Sequence, residues 1–400
     1  MPFRRRPSND PSSGSRTTSI SFRACIAAGL CLALAACASV ARIPYTEQEA
    51  RSSTVLGLRD LRRYADDPLS RFADTPLAGP RVSYLALSGG GADGAYGVGV
   101  LNGWTATGNR PSFSIVSGVS TGGLIAPFAF LGPAYDGVLR EVYTSGIAES
   151  LLDDSNLLRA VFGAGLAGNT RLRSLVCRYV DADVLREIAR EHPKGRRLYI
   201  VTTDLDTQRT AIWDMGRIAS VATPAALELA QDVMTASASL PLIFPPMLIQ
   251  AEAGGKHVQE MHVDGGVNAP ILTLPDQYLL RRQSPARNAQ VDMYLLVNNK
   301  IEPEFTLVRN SSLDVASRSI SSVTKSQTRS IIFSTYEFAK QNGLSFALSY
   351  IERDYPSNKR SEFDTAYMQN LYDFGFNKAA TGSAWRHSLP MGDDAVAGLH

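Results

Sequence analysis

The chain has 400 residues, 44% of them apolar and 20% charged, with a formal net charge of +2. That apolar content supports one large domain or two small ones, and so even a charge balance lacks the basic excess that nucleic-acid binding demands. Neither an internal repeat nor a metal-ligating spacing such as H-x-x-x-H or C-x-x-C occurs.

Residues 1–23 carry Arg4, Arg5, Arg6, Arg16 and Arg23 against a single acid, Asp10, and Ala24 to Ala36 is apolar throughout. A run of about 13 residues has the length of a signal-peptide core and is too short for a membrane span, which needs about 20. It ends in Leu34-Ala35-Ala36-Cys37, which resembles the lipobox of bacterial lipoproteins. The resemblance implies cleavage after Ala36 and a lipid-modified Cys37 that anchors the chain to a membrane. With Ala38 and not Asp following, it also implies a bacterial envelope location, at the outer membrane facing the periplasm. The basic stretch is long for a signal peptide, which leaves a later start codon open. A mitochondrial presequence is the alternative, although it does not account for the cysteine. Cys25 and Cys31 would leave with the signal, so Cys177 alone would remain as a thiol and no internal disulfide is expected. Residues 37–80 are polar and charged and read as a tether, with Arg59 to Arg63 as a short solvated helix.

Two glycine-built turns follow, each after a β-prone apolar run and before a helical one. Val82 to Leu87 leads into Ser88-Gly89-Gly90-Gly91-Ala92-Asp93-Gly94, and Phe113 to Val116 leads into Gly118-Val119-Ser120-Thr121-Gly122. Consecutive glycines leave backbone N–H groups unshielded beside a helix N-terminus, where they can hold an oxyanion. Gly89, Gly91 and Gly94 also satisfy G-x-G-x-x-G. A dinucleotide site would then require an acid about 20 residues on, yet no Asp or Glu occurs between Asp93 and Asp136. No Gly-Lys-Ser or Gly-Lys-Thr follows either, and Arg110 is the only charged residue between Gly94 and Tyr135, so no nucleotide is expected. In the second turn the G-x-S-x-G pattern sets Ser120 at the apex of a sharp strand-to-helix bend, because side chains at Gly118 or Gly122 would collide with the neighbouring elements.

Further along, Tyr199 to Asp204 reads as another parallel strand at an edge, with Asp204 and Asp206 as caps or turn formers. Ala236 to Pro246 (ASASLPLIFPP) reads as a helix end leading into a rigid apolar loop beside the cleft. His257 to Val263 is a strand ending in Asp264-Gly265-Gly266, which is either a plain turn or a carboxylate aimed at another loop. Met293 to Val297 reads as a late buried strand. Phe305 to Phe338 reads as helix packed on one side of the core, and Tyr367 to Ala380 as a final amphipathic helix. Trp104 and Trp213 read as packing residues. Of His192, His257, His262, His387 and His400, only His262, two residues before Asp264 on the same strand face, is placed to join a Ser-His-Asp triad.

Ser88 to Leu101, Gly118 to Gly122, Ala236 to Pro246 and Asp264 to Pro270 occur in the order and approximate spacing of the patatin-like phospholipases, over roughly residues 83–271. The resemblance implies a three-layer α/β/α core with a mostly parallel sheet. It also implies a lipid acyl hydrolase with Ser120 as nucleophile, Asp264 as its partner, and the N–H groups of Gly89, Gly90, Gly91 and Ala92 as oxyanion hole, with phospholipid or another acyl ester as substrate. Gly94, Gly118, Gly122, Gly265 and Gly266 would support these turns, and neither metal nor cofactor is implied. One departure is Asp93, where the family usually carries Arg or Lys. The division expected is signal peptide 1–36, tether 37–80, catalytic core 81–275, and C-terminal strand and helices 276–400. The alternatives are a triad esterase using His262 and a catalytically degenerate lipid-binding lipoprotein.

Overall fold

The computed structural model describes residues 42–72, 79–151, 170–281, 289–357 and 359–390, together with Met1. The expected signal segment, Cys37 and His400 lie outside the described residues. The strands are β1 (Arg62–Tyr64), β2 (Arg81–Leu87), β3 (Ile115–Val119), β4 (Arg197–Asp204), β5 (Arg209–Asp214), β6 (Met247–Ala253), β7 (Lys256–Asp264), β8 (Gln290–Val297) and β9 (Ser345–Tyr350). They form one sheet in the order β1-β5-β4-β3-β2-β8-β9, with the β6–β7 hairpin attached to β4. From β4 through β9 each neighbour pairs in parallel, whereas β1, β5, β6 and β7 pair antiparallel.

The principal helices are α1 (Gly94–Ala106), α2 (Thr121–Leu131), α3 (Asp136–Thr144), α4 (Ala182–Glu191), α5 (Pro224–Ser237), α6 (Ser312–Asn342) and α7 (Thr365–Ala380). Leu85 and Leu87 of β2 join the apolar core beneath α1, α2, α5 and α7, while the alternate Tyr84 and Ala86 join a second core with Ile332 and Ala339 of α6. Burial on both faces explains the nearly unbroken apolar strands, and it makes the expected three-layer α/β/α architecture. The final helix packs as expected: α7 meets α1 at backbone contact, since a Cβ at Gly99 would lie 2.1 Å from the Tyr372 carbonyl oxygen and one at Gly103 2.2 Å from that of Phe376.

Three local expectations differ from the structure. Residues 42–72 are packed and not a free tether, and Arg59 to Arg63 gives part of β1 in place of a helix. Leu61 and Arg62 are buried there, and pairing of β1 with β5 outweighs the local helix preference. Strand β4 lies inside the sheet, bonded to β3 on one side and β5 on the other. Finally, α6 begins only at Ser312, and its buried residues run from Thr328 onward.

The α1–α7 contact yields a first test. Gly103→Ala is expected to cost about 2–4 kcal/mol, because the colliding atom is backbone and cannot rotate away. Urea denaturation of the two proteins measures it.

Candidate active site

Ser120 follows β3 directly and caps α2, with φ 56° and ψ −127°. A non-glycine residue at positive φ is strained by about 1–3 kcal/mol, and packing around the turn enforces it. A Cβ at Gly118 would lie 2.3 Å from the Gly122 carbonyl oxygen, and one at Gly122 would lie 2.6 Å from the carbonyl oxygens of both Leu87 and Ser88. The Ser120 N–H donates to Ser237 Oγ at 3.1 Å, and that hydroxyl donates to the Val201 carbonyl at 2.7 Å. Thus the end of α5 fixes the bend, while Ser120 itself stays half-buried and reachable.

The carboxylate arrives from the opposite direction. Val119, the last residue of β3, pairs with Val201 of β4, and the next position along that edge, Thr202, pairs with Asp264 of antiparallel β7. Strands β3 and β7 therefore occupy one edge of β4 end to end, and their tips meet. Ser120 Oγ donates to Asp264 Oδ2 at 2.5 Å, and the Gly266 N–H donates to Asp264 Oδ1 at 2.7 Å. Asp264 N–H also donates to the Ser239 carbonyl at 3.1 Å. Gly265 allows the turn, since a Cβ there would lie 2.6 Å from the Val201 carbonyl oxygen. Asp264 is 2% exposed. Burial pushes its carboxyl up to about 7, against the opposing hydrogen bonds from Ser120 and Gly266.

The glycine loop lies beside the hydroxyl: a Cβ at Gly89 would be 3.1 Å from Ser120 Cβ and 3.7 Å from its Oγ. The carbonyls of this loop are tied down. Asn298 Nδ2 donates to the Ser88 carbonyl and Asn299 Nδ2 to that of Gly89, both at 2.9 Å. Of the four N–H groups expected to form the oxyanion hole, that of Gly89 already donates to the Pro270 carbonyl at 3.0 Å. Among the described residues the N–H groups of Gly90, Gly91 and Ala92 have no acceptor, so the candidate hole narrows to these three. Gly90 must stay bare for a separate reason, since a Cβ would fall 2.1 Å from the Asn298 carbonyl oxygen. At Gly94 a Cβ would meet Thr121 Oγ1 at 2.3 Å.

Asp93 is compensated. Lys359 Nζ lies 2.6 Å from its Oδ1, and the Tyr367 hydroxyl donates to the same oxygen at 3.0 Å. Burial works against the Lys359 charge, but the Asp93 and Glu362 carboxylates outweigh it and hold the ammonium above its ordinary value.

His262 is fully buried and turned to other partners. Its Nδ1 shares a 2.9 Å hydrogen bond with Thr202 Oγ1, and its Nε2 faces Glu260 at 3.6 Å. Glu260 receives a bidentate contact from Arg62, with Nη2 to Oε1 at 2.7 Å. Burial pushes the Glu260 carboxyl up, yet Arg62 and His262 overcome this and hold it well below the usual range. Asp204 accepts from Thr207 Oγ1 and the Asp206 N–H, and Asp206 pairs with Arg42, which are turn and packing roles. Trp104 packs in tilted and edge-on contacts among Phe113, Tyr294 and Trp385, and Trp213 donates to Thr202. His192 faces Asp214 at 3.6 Å, His387 bonds the Phe346 carbonyl, and His257 is exposed. Among the described residues no group of three His, Cys, Asp or Glu side chains is arranged to hold a metal ion.

Sequence reasoning passed over Ser237, Ser239, Asn298, Asn299 and Lys359. The two serines sit inside the small-residue block at the end of α5. The Asn pair follows β8 directly, where a polar pair after an apolar strand is the available signal. Nothing local marks Lys359, whose role arises from tertiary contact alone.

A strained serine at a strand-to-helix bend, bonded to a buried carboxylate beside unbonded backbone N–H groups, is an arrangement suited to serine-hydrolase chemistry. Residues 85–275 match the family model for patatin-like phospholipase and form a domain of that family, which suggests lipid acyl hydrolase activity. A search of curated proteins finds no match. Similar solved structures include VipD from Legionella pneumophila, at 13% identity and a TM-score of 0.34, covering 77% of this chain and 68% of that one. The type III effector protein ExoU shows 12% identity and a TM-score of 0.29, covering 77% and 54%. ExoU in complex with SpcU, from Pseudomonas aeruginosa, shows 13% and 0.32, covering 78% and 55%. The chain thus spans just over half the length of the ExoU chains.

The buried carboxyl has a measurable cost. Since its folded pKa is raised to about 7, the charged form is penalised in the folded state. The penalty is absent below about pH 4, grows as pH rises and is complete above about pH 7. Asp264→Asn is therefore expected to stabilise the protein by ~2–4 kcal/mol at pH 8 and to lose that advantage at pH 4. Thermal melts of both proteins at the two pH values check this.

Proposed function

We propose that the chain hydrolyses fatty-acyl esters of membrane lipids, of phospholipase A or esterase type, through a Ser120–Asp264 dyad. The observation that carries this reading is the 2.5 Å hydrogen bond from Ser120 Oγ to Asp264 Oδ2 beside the glycine loop. Asp264 takes the hydroxyl proton as Ser120 attacks the ester carbonyl, and the N–H groups of Gly90, Gly91 and Ala92 hold the developing oxyanion. Collapse of the tetrahedral intermediate expels the alcohol with that proton and leaves an acyl-enzyme. Water, deprotonated by Asp264, then releases the fatty acid and restores Ser120. No step calls for a metal or cofactor. An isolated Asp is a feeble base at neutral pH, and a carboxyl pushed up to about 7 is a competent one.

Fatty-acid release from phospholipid vesicles, compared among the parent, Ser120→Ala and Asp264→Asn, tests the dyad. Both variants are expected to lose about 10³-fold or more. His262→Ala is expected to retain partial activity, whereas a triad esterase would lose all of it. In the parent, kcat/KM is expected to fall about tenfold per pH unit below 7 as Asp264 protonates. Equal release by the parent and Ser120→Ala would sink the mechanism and favour a degenerate lipid-binding protein.

The same reading includes anchorage through a lipidated Cys37 at the outer membrane, facing the periplasm. It is supported by the apolar run ending in Leu34-Ala35-Ala36-Cys37. Cys37→Ser is expected to move the protein from the membrane fraction and to leave the signal uncleaved, as read by fractionation and intact mass. Unchanged fractionation and mass would overturn the anchor.

A further inference from the structure

Helix α6 is longer than the sheet it serves. Its 31 residues span ~46 Å at 1.5 Å per residue, whereas the 8 residues of β8 cover only ~26 Å. Because β8 and β9 are parallel, the helix joining them starts at the C-terminal end of β8 and returns to the start of β9. Strands β3, β2 and β8 are also parallel, so Ser120, just past the end of β3, lies at that same end of the sheet. Burial follows this geometry: Thr328, Ile332, Thr335, Phe338 and Ala339 are buried, and no residue of α6 before Thr328 is. The first half of the helix therefore overhangs the sheet on the side of the active site.

This overhang carries apolar groups with nothing beneath them. Residues 305–313 are all exposed, with Phe305 at 95% and Leu307 at 86%, and Leu313, Val315 and Val323 are exposed on the helix. Leu313, Ala316, Ile320 and Val323 recur at helical spacing along one stripe. Between residues 305 and 323 the charges are Arg309 and Arg318 against Asp314, with Arg309 paired to Asp314 at 2.9 Å and serines lying between them. The overhang is attached by polar contacts, Lys325 Nζ to Glu304 Oε2 at 2.8 Å and Arg318 to the Glu304 carbonyl, and by the half-buried Ala316 and Ile320, while Phe305 and Leu307 stay free of the fold. Across the site, Ile43 and Leu205 are exposed next to the Arg42–Asp206 pair, just beyond the end of β4. Apolar groups thus flank Ser120 on both sides at one end of the molecule. Among the described residues no helix is long and apolar enough to cross a membrane.

We propose that residues 305–323, comprising the segment before α6 and its overhanging turns, form the surface that docks this protein onto a phospholipid bilayer. The proposal rests on the acyl-hydrolase reading, which requires the C-terminal end of the sheet to face lipid. Exposed aromatic and aliphatic groups enter the headgroup boundary.

Two measurements on the full chain decide it. In the first, Phe305→Trp is titrated with phosphatidylcholine vesicles containing phosphatidylglycerol and lipids brominated in their acyl chains. Quenching beyond that of the parent, whose own three tryptophans serve as control, is expected. Its absence overturns the proposal whether or not the protein is a hydrolase. In the second, Phe305→Asp/Leu307→Asp is expected to slow hydrolysis of vesicle lipid about tenfold while leaving a short soluble ester unaffected. Equal loss on both substrates, or a parent dimer that dissociates in this variant, assigns the patch to folding or to a protein interface and overturns the proposal. Inactivity of the parent on both esters, with quenching intact, would fail the acyl-hydrolase reading while the docking surface stands.

Discussion

The site depends on two strands sharing a single edge. Strand β4 bonds β3 through Val201 and then, from Thr202, bonds β7 coming the other way. A parallel strand and an antiparallel one cannot both continue past this point, so each ends in a turn, and the residues at the two tips are Ser120 and Asp264. The backbone ladder thus brings the hydroxyl to 2.5 Å from the carboxylate without any long flexible side chain. The same arrangement buries Asp264 against the sheet, and burial raises its basicity. Placement and pKa have one cause. Beneath β7, the Arg62–Glu260–His262–Thr202 series holds the alternate side chains of this strand in a buried polar row. That row begins at β1, so the N-terminal residues help set the position of the catalytic-end turn.

The oxyanion hole proposed for this loop requires N–H groups left unpaired, and each such group is a donor lost to folding. Here the cost is confined to one side of the glycine loop. Asn298 and Asn299 bond its carbonyls, and Pro270 accepts the Gly89 N–H, which fixes the loop from both flanks. Only Gly90, Gly91 and Ala92 keep unbonded N–H groups among the described residues. Gly89 is better understood as the hinge that lets the loop approach Ser120 than as a donor.

Much of this was legible in the sequence because the constraints are local. The small residues at Gly118 and Gly122 are demanded by contacts within one turn, and the apolar runs of β2, β3 and β8 reflect burial on both faces. Asp264 on its own was indistinguishable from a turn residue, and what distinguishes it is its pairing with Thr202, 62 residues away, and its bond to Ser120, 144 residues away. Arg59 to Arg63 misled for the opposite reason: its charges read as solvated, yet Arg62 is buried by its pairing with Glu260. The length of α6 was anticipated, but the sequence pattern does not say where the sheet beneath it stops.

The reversed charge at Asp93 shows how such long-range contacts preserve a local environment. A lone carboxylate at the start of α1 would lie next to the loop that must stabilise negative charge, and repulsion would oppose the oxyanion. Lys359 neutralises it at 2.6 Å, and Tyr367 donates a further hydrogen bond from the first turn of α7. The positive charge that the family usually places within the glycine segment is therefore supplied from the C-terminal part of the chain. This ties the electrostatics of the site to the seating of α7, and that seating depends on the bare backbone faces of Gly99 and Gly103. The C-terminal helix consequently shapes the surroundings of the loop proposed to hold the oxyanion.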